Sequence, residues 1–451
     1  MVVVGGGPSG EEVAGRLAGR GLDVAIVEDR LIGGECAYWA CMPSKALLRP
    51  YEALAEARRV PGAAEAATGS LDVSAALRGR DEIIDRFDDA VPLRILQDQG
   101  VVLFRGRGRL TGERTVLVGG DELEARRAVV LAGGSLPLIP PIEGLDAIDA
   151  TWTNREATTA TEIPSRLLVV GGGAVGVEMA HAFQTLGSQV TIIEGERRLL
   201  PREEEYACAE VEAALTHAGV DVRTGQAAER FSHDHGVVMI TTTDGGTAQG
   251  DVVLVALGRK APTGDLGIET VGLTAGDWVD VDAQMRVANV PWLYAVGDIN
   301  GRTAHTHMGK YQARIAADHI LGHDHAISHG ADGAMAPRVV FTDPQVAAVG
   351  HTTETATRAG LAFDTYDTET SGNLGGSVYD RGAPGTTRFL VDRERRTLIG
   401  CTITGADVAD FVHAATIAVV GEVPLERLRH AVPPFPTRSE LWLALLEQAG
   451  V

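Results

Sequence analysis

Short apolar runs recur along the chain, each ended by a glycine turn that opens a segment of helical period. Residues 1–28 read MVVVGGGPSGEEVAGRLAGRGLDVAIVE. One apolar run reaches Gly5, a helical segment follows, and a second run, VAIVE, ends on Glu28. Runs this short, bounded by turn glycines and joined through a helix, predict buried strands of a βαβ unit. The same constellation returns at 166–194, RLLVVGGGAVGVEMAHAFQTLGSQVTIIE, where Glu194 ends the second strand.

The glycines carry a chemical reading. Gly5, Gly7 and Gly10 in one unit, and Gly171, Gly173 and Gly176 in the other, permit a tight turn and close backbone approach to a pyrophosphate at a helix N-terminus. Glu28 falls at the spacing where a carboxylate takes a ribose hydroxyl pair. Two such folds imply two dinucleotides, one tightly held flavin and one exchanging nicotinamide. Glu194 repels a 2′-phosphate and so favours NADH over NADPH. Arg197 and Arg198 follow it, either as phosphate partners that admit NADPH or as a solvated loop.

Composition narrows the class. A chain of 451 residues exceeds one core and suggests two to four domains. Its 45% hydrophobic and 22% charged content is that of a globular protein. A net charge of −21 argues against nucleic acid and anionic membrane as partners, but not against a nucleotide held by backbone N–H groups. No apolar run is long enough for a membrane span. The N-terminus is already strand and turn, so no signal peptide is expected. With Met1 inside it, the first strand is expected to be short or the chain to begin late. Cys36, Cys41, Cys208 and Cys401 make no secreted disulfide framework, which points to the cytosol.

Cys36 and Cys41 lie in GGECAYWACMPSKALL, residues 33–48. In one ideal helix their Cα atoms would be about 8.7 Å apart. A disulfide needs about 4.4–6.8 Å, so pairing requires Cys36 to sit in the approach turn. Gly33 and Gly34 allow that turn, and Pro43 is tolerated in a first helical turn. Cys41 would then lie near a helix N-terminus, where the dipole favours a thiolate. The pair reads as redox-active, as a zinc site, or as inert core thiols. Zinc lacks a second ligand pair, because Cys208 and Cys401 stand alone and no histidine pair has ligand spacing.

GGECAYWACMPSK resembles the redox-disulfide signature of the class I pyridine nucleotide–disulfide oxidoreductases, a family that includes dihydrolipoamide dehydrogenase and glutathione reductase. The likeness spans the chain. VVLAGGSLPLIPP (129–141), with Gly133 where threonine is usual, resembles the segment closing the first flavin half. VLVALGRKAP (253–262) resembles the end of the nicotinamide domain, LYAVGDINGR (293–302) the second flavin motif, and PRVVFTDPQVAAVG (337–350) the opening of a dimerisation domain. The resemblance implies an α/β chain of two Rossmann-like domains and a C-terminal α+β domain. FAD is placed on 1–150 and 266–330, NAD(P)H on 151–265, and the homodimer interface on 336–451. SHGADGAMA (328–336) reads as a linker.

The same resemblance implies the site. Ser9, Gly34, Gly108, Gly134, Ser135 and Asp298 join Gly5, Gly7, Gly10 and Glu28 around FAD. Gly258 and Arg259 join the second glycine turn and Glu194. Cys36 and Cys41 form the disulfide, Lys45 stands beside flavin N5 paired with Glu178, and His307 lies near the flavin in a structural role. A cation there stabilises negative charge on a reduced flavin, and a carboxylate keeps the amine charged. No metal is expected.

VPPFPTRSE (432–440) departs from the pattern. Members that reduce disulfides carry His-Pro-Thr-x-x-Glu, whose histidine moves the proton at the partner's exposed cysteine while the glutamate orients it. Here Pro436, Thr437 and Glu440 match, and Phe435 stands at the base. Three explanations compete. Another group, such as His430 or His413, takes over, although either also reads as a plain helix-end histidine. The acceptor is a quinone or other diaphorase substrate that needs no protonated leaving thiolate. Or protons must be excluded, as in the family's 2-ketopropyl-coenzyme M oxidoreductase/carboxylase, which also replaces the glutamate that Glu440 retains here. Mercuric reductase carries a C-terminal vicinal cysteine pair, and LLEQAGV offers none. Tyr38 and Trp39, between the cysteines, either give an aromatic mouth suited to a planar acceptor or pack in the flavin domain.

Overall fold

The computed structural model describes residues 1–328, 332–379 and 381–451. The linker read at 328–336 therefore lies partly outside the described residues. The chain divides into two compact units: 1–43, 79–138 and 259–333 in the first, and 44–78, 139–258 and 334–451 in the second.

The first unit is built on a five-stranded parallel sheet. Its order is Leu293–Ala295, Val129–Leu131, Val2–Val4, Val24–Glu28 and Val101–Arg105. Val2 pairs with Ala25 on one side and Val129 on the other, so the first strand is short and central. Its three valines are buried, as a strand covered on both faces requires. The helix Pro8–Ala18 follows, with Val13, Ala14 and Leu17 in the core. A three-stranded antiparallel sheet, Gly108–Gly112, Thr115–Val118 and Asp121–Glu124, completes this half.

The second unit repeats the plan. Asp221–Arg223, Gln189–Ile193, Arg166–Val170, Val252–Val255 and Thr151–Trp152 form a parallel sheet, accompanied by the antiparallel strands Ala228–Asp234, Val237–Thr242 and Thr247–Gly250. The helix Ala174–Thr185 is buried nearly all round. The same unit holds a five-stranded antiparallel sheet ordered Arg338–Val340, Gln345–Gly350, Leu398–Gly405, Thr386–Asp392 and Phe363–Glu369. The helices Val412–Val420 and Leu441–Gln448 add buried residues to its core. Cys401 lies at 0% exposure inside that core, and burial pushes its thiol far up. Cys208 is likewise buried, its thiol donating to Leu200 O at 3.2 Å and raised by burial to about 11. Both are core thiols.

Candidate active site

The two glycine turns are built alike. Gly5 and Gly171 have φ of 111° and 112°, in the left-handed region that glycine tolerates. A Cβ on Gly10 would lie 1.9 Å from Gly5 O, and one on Gly176 would lie 1.9 Å from Gly171 O. The helices Pro8–Ala18 and Ala174–Thr185 start at Gly7 and Gly173 with no side-chain cap. Their first N–H groups are therefore left for an anion. The acids are anchored alike as well. Glu28 accepts from Gly6 N–H and Arg30 N–H at 2.7 Å each, and Glu194 accepts from the N–H groups of Gly172 and Glu196. Burial pushes the Glu28 carboxyl above the usual carboxylate range, and the two N–H bonds draw it back. Arg198 is engaged by Glu354 at 3.2 Å, while Arg197 is exposed.

The cysteine segment packs on the first turn. Gly33 N–H donates to Gly6 O at 2.8 Å, and a Cβ on Gly34 would stand 2.7 Å from Gly7 Cα. Cys36 lies in the short helix Gly34–Tyr38, and Cys41 opens the separate helix Cys41–Arg59. Cys36 thus sits off the helix that Cys41 opens, but in a short helix of its own and not in the turn the spacing predicts. The two thiols meet: Cys36 is hydrogen-bonded to Cys41, and Cys41 Sγ lies 3.4 Å from Thr306 Oγ1. The Thr306 hydroxyl also bonds Cys36. The thiol of Cys36 is pushed far up by its bond to Cys41 and by burial, while Thr306 and Lys310 draw it down.

Tyr38 and Trp39 pack within the first unit. Tyr38 is buried, its ring 6.2 Å from Phe87, with its hydroxyl donating to Asp88 O at 3.2 Å. Trp39 lies 5.9 Å from Phe87, centroid to centroid, and Arg30 sits over it. The packing reading of this aromatic pair is the one the structure supports.

Other expected site residues also converge. Ser135 Oγ donates to Asp298 at 2.6 Å, and Arg259 donates to the Ser135 hydroxyl and carbonyl. Arg259 lies 3.8 Å from Glu35, beside Cys36. In the second unit Lys45 Nζ donates to Glu178 at 2.7 Å, and the other Glu178 oxygen accepts from Phe341 N–H at 2.9 Å. The ammonium lies 4.7 Å over the Phe341 ring. Ser9 faces Gly297 and Gly309, on which a Cβ would meet its hydroxyl at 2.7 and 2.3 Å. Gly108 is buried, where a Cβ would meet Val4 and Val27. His307 is exposed and stacked on His305 at 5.4 Å.

Phe435 is 70% exposed. Glu440 keeps one buried carboxylate oxygen with no hydrogen-bond partner among the described residues. Thr437 is pinned to Pro434 O at 2.7 Å, and Arg438 sits 4.5 Å over the Phe411 ring. His413 and His430 are exposed.

Sequence comparison settles the lineage. The family model "Pyridine nucleotide-disulphide oxidoreductase" matches residues 1–313, and its dimerisation-domain model matches 336–445. The chain belongs to the pyridine nucleotide-disulphide oxidoreductases. It is 31% identical to the dihydrolipoyl dehydrogenase of Thermus scotoductus over 448 residues, 98% of this chain and 95% of that one. It is 27% identical to the mercuric reductase of Lysinibacillus sphaericus, over 98% of this chain and 80% of that one. Among solved structures, LpdA from Mycobacterium tuberculosis superposes with a TM-score of 0.88 at 25% identity, covering 99% of both chains. The copper(II) complex of the HOCl-induced flavoprotein disulfide reductase RclA from Escherichia coli has the same fold, with a TM-score of 0.87 at 23% identity over 99% and 98% of the two chains.

The chain is thus an oxidoreductase of a family that binds FAD and NAD(P)H. Both glycine turns fit such nucleotides, with uncapped helix starts and an anchored acid at the end of the second strand. Among the described residues, no helix is long and apolar enough to cross a membrane, and no cluster of three or more His, Cys, Asp or Glu could hold a metal ion.

Thr306 beside the cysteines and, in the second unit, Phe341 beside Lys45 and Glu178 escaped the sequence reading. Thr306 adjoins the histidine that the motif highlights. Nothing in its immediate sequence says that it reaches a cysteine 265 positions away.

Proposed function

We propose that the chain is an NADH-dependent, dihydrolipoamide-dehydrogenase-like reductase in which Cys36 and Cys41 cycle between disulfide and dithiol and pass two electrons to a small-molecule acceptor. In this reading FAD is held on 1–150 and 266–330, the nicotinamide nucleotide on 151–265, and 336–451 pairs two protomers. Bound FAD would supply the two-electron chemistry that links a nicotinamide hydride to the Cys36–Cys41 disulfide. The chain's own residues do the rest. The Gly5–Gly10 and Gly171–Gly176 turns seat the pyrophosphates at helix starts, and Glu28 and Glu194 take ribose hydroxyls. The Glu194 carboxylate, with Arg198 engaged by Glu354, supports NADH over NADPH.

Lys45 supplies positive charge beside the flavin, held charged by Glu178. Cys41, at a helix start and against the Thr306 hydroxyl, is the flavin-side thiol, and Cys36 is the acceptor-side thiol. The observation that supports the reading is the mutual hydrogen bond of Cys36 and Cys41 at Thr306, which brings the two thiols into contact. Reduction breaks that S–S bond and adds two electrons and two protons.

A second reading, a quinone or diaphorase-type reductase, is favoured by Phe435 in place of the base. The chemistry of 2-ketopropyl-coenzyme M fits less well, since Glu440 is retained. A panel of acceptors separates the readings. Cys36→Ser should abolish turnover of lipoamide and other disulfides. Undiminished quinone turnover, with no disulfide turnover by the unmodified chain, would replace the first reading by the second.

A further inference from the structure

Ala37, Tyr38, Trp39 and Ala40 link the two cysteines, and the middle of that link is aromatic. Tyr38 and Trp39 meet edge to face at 5.6 Å, and Phe87 completes a three-ring cluster, stacked on Tyr38 at 6.2 Å and 5.9 Å from Trp39. The backbone that presents Phe87 is strained. Asp85, Arg86 and Phe87 follow one another with φ of 48°, 49° and 65°. None is glycine, and in the left-handed region a Cβ crowds the following carbonyl. Bonds from Phe87 N–H to Ile84 O at 3.1 Å and from Asp88 N–H to Asp85 O at 2.9 Å close the turn. Such strain persists only where the surroundings over-determine it, and it clusters at functional sites.

The surroundings here are the cysteine segment. The Tyr38 hydroxyl donates to Asp88 O at 3.2 Å. Asp89 accepts from Ile32 N–H at 2.8 Å, just before the glycines that lead into Cys36. Arg105 donates to the same Asp89 oxygen at 2.8 Å and also to Arg30 O. Arg30 in turn lies 5.9 Å over the Trp39 ring. Residues 87–89 thus hold the segment at its start through hydrogen bonds and at the middle of the link through rings. Phe87 is itself 39% exposed, so replacing it empties little of the core.

We infer that Phe87 is a positioning residue for the dithiol: from the left-handed turn it clamps Tyr38 and Trp39, and so keeps Cys36 and Cys41 in contact while the bond between them is open. This role presupposes the disulfide cycle proposed above. Its physical basis is chain entropy. Closing a disulfide across a free link costs the conformational freedom of that link. A link already ordered in the dithiol has less to lose, so the disulfide re-forms more readily. The clamp thereby lowers the reduction potential of the pair and makes the dithiol a stronger reductant toward its acceptor.

The test is an anaerobic equilibrium of the holoenzyme with dithiothreitol buffers, without nicotinamide nucleotide. Free thiols are trapped with N-ethylmaleimide and read from the mass of the peptide that carries both cysteines. As the Cys36–Cys41 bond forms, the S–S bond of oxidised dithiothreitol breaks, and two electrons and two protons pass to it. Phe87→Ala should lower the equilibrium constant for disulfide formation about tenfold, the upper end of what an aromatic pair contributes, raising the potential by about 30 mV. Phe87→Leu keeps apolar bulk without ring stacking and should lower the constant about threefold. Phe87→Tyr keeps the ring and should leave it unchanged. A residue that merely stabilised the fold would lower the urea midpoint without moving this constant, because both redox states would weaken alike. If Phe87→Ala does not fold, Phe87→Leu decides. The inference is overturned if neither variant moves the constant, or if Phe87→Tyr lowers it as far as Phe87→Leu does. An unmodified chain whose pair forms no disulfide in any of these buffers refutes the disulfide cycle itself, and the clamp with it.

Discussion

Lys45 Nζ and Glu178 Oε2 are joined at 2.7 Å, by a helix that opens on a cysteine and a helix that opens on a nucleotide-type glycine turn. The carboxylate is nearly buried, at 7% exposure, and the ammonium is 35% exposed. The asymmetry of the pair has a consequence. Lys45→Met strands a buried carboxylate, which costs about 1–3 kcal/mol of stability. It also removes a preorganised charge, slowing NADH-dependent flavin reduction about 10²-fold. Glu178→Gln keeps the acceptor for Phe341 N–H and should cost less on both counts. Denaturant melts and stopped-flow flavin reduction check the ranking, and equal effects of the two substitutions would contradict it.

The two glycine turns test the proposed cofactor assignment. A Cβ on Gly10 or Gly176 overlaps the carbonyl of its own turn at 1.9 Å, so neither turn survives alanine unchanged. Gly10→Ala should yield protein without FAD absorbance. Gly176→Ala should retain FAD and weaken NADH binding at least about 100-fold, the loss of several backbone hydrogen bonds to a charged group. Flavin absorbance and NADH titration check both; the opposite pattern would exchange the cofactor assignment.

Much of this was legible locally. The glycine turns, the acids that end the second strands, the break between Cys36 and Cys41 and the substitution at Phe435 all follow from neighbours in the chain. What was not legible acts across the fold. Thr306 meets Cys41 only because two distant segments converge. Glu11 reads in sequence as an ordinary first-turn acid, and burial alone changes its character. Pro50 sits inside the helix Cys41–Arg59, where local preference would end one. The compact units divide the chain at 43/44, 78/79, 138/139, 258/259 and 333/334, set by three-dimensional contact and not by motif order.

Thiol accessibility follows from burial. Cys208 and Cys401 are at 1% and 0% exposure, with both thiols raised by desolvation. Cys36 and Cys41 are partly exposed. The folded, reduced protein should therefore give two accessible thiols, which react before the two buried ones, and the denatured protein four. Rapid reaction of a third in the folded state would contradict the assigned core.

His181 makes stability depend on pH. It is buried beside Tyr51, its Nδ1 accepts from Asp343 N–H, and desolvation lowers its pKa from 6.5 to about 4. Between those values the unfolded chain binds the extra proton and the folded chain does not. Stability therefore falls as pH drops from about 6.5 toward 4, by up to about 3 kcal/mol. His181→Asn should lower stability at pH 7.5 and flatten this dependence. Urea melts at pH 5 and 7.5 measure it, and an unchanged slope in the variant would assign the pH dependence elsewhere.

Phe435→His restores an imidazole to the Pro436-Thr437-x-x-Glu440 frame, whose Glu440 keeps a carboxylate oxygen with no hydrogen-bond partner among the described residues. Disulfide turnover by the otherwise unmodified chain should rise about 10²-fold, the lower end of what a positioned acid–base gives. Assays with lipoamide across pH 6–9 check it. No gain at any pH would show that the Phe435–Glu440 frame no longer orients a base.

The central claim is that Cys36 and Cys41 store electrons between the nucleotide and the acceptor. Anaerobic titration of the purified protein with NADH, followed through the visible flavin spectrum, tests it most directly. The account predicts a long-wavelength thiolate-to-flavin charge-transfer band after two electrons and full bleaching only after four. Complete bleaching after two electrons with no such band would contradict it and leave the cysteine pair silent.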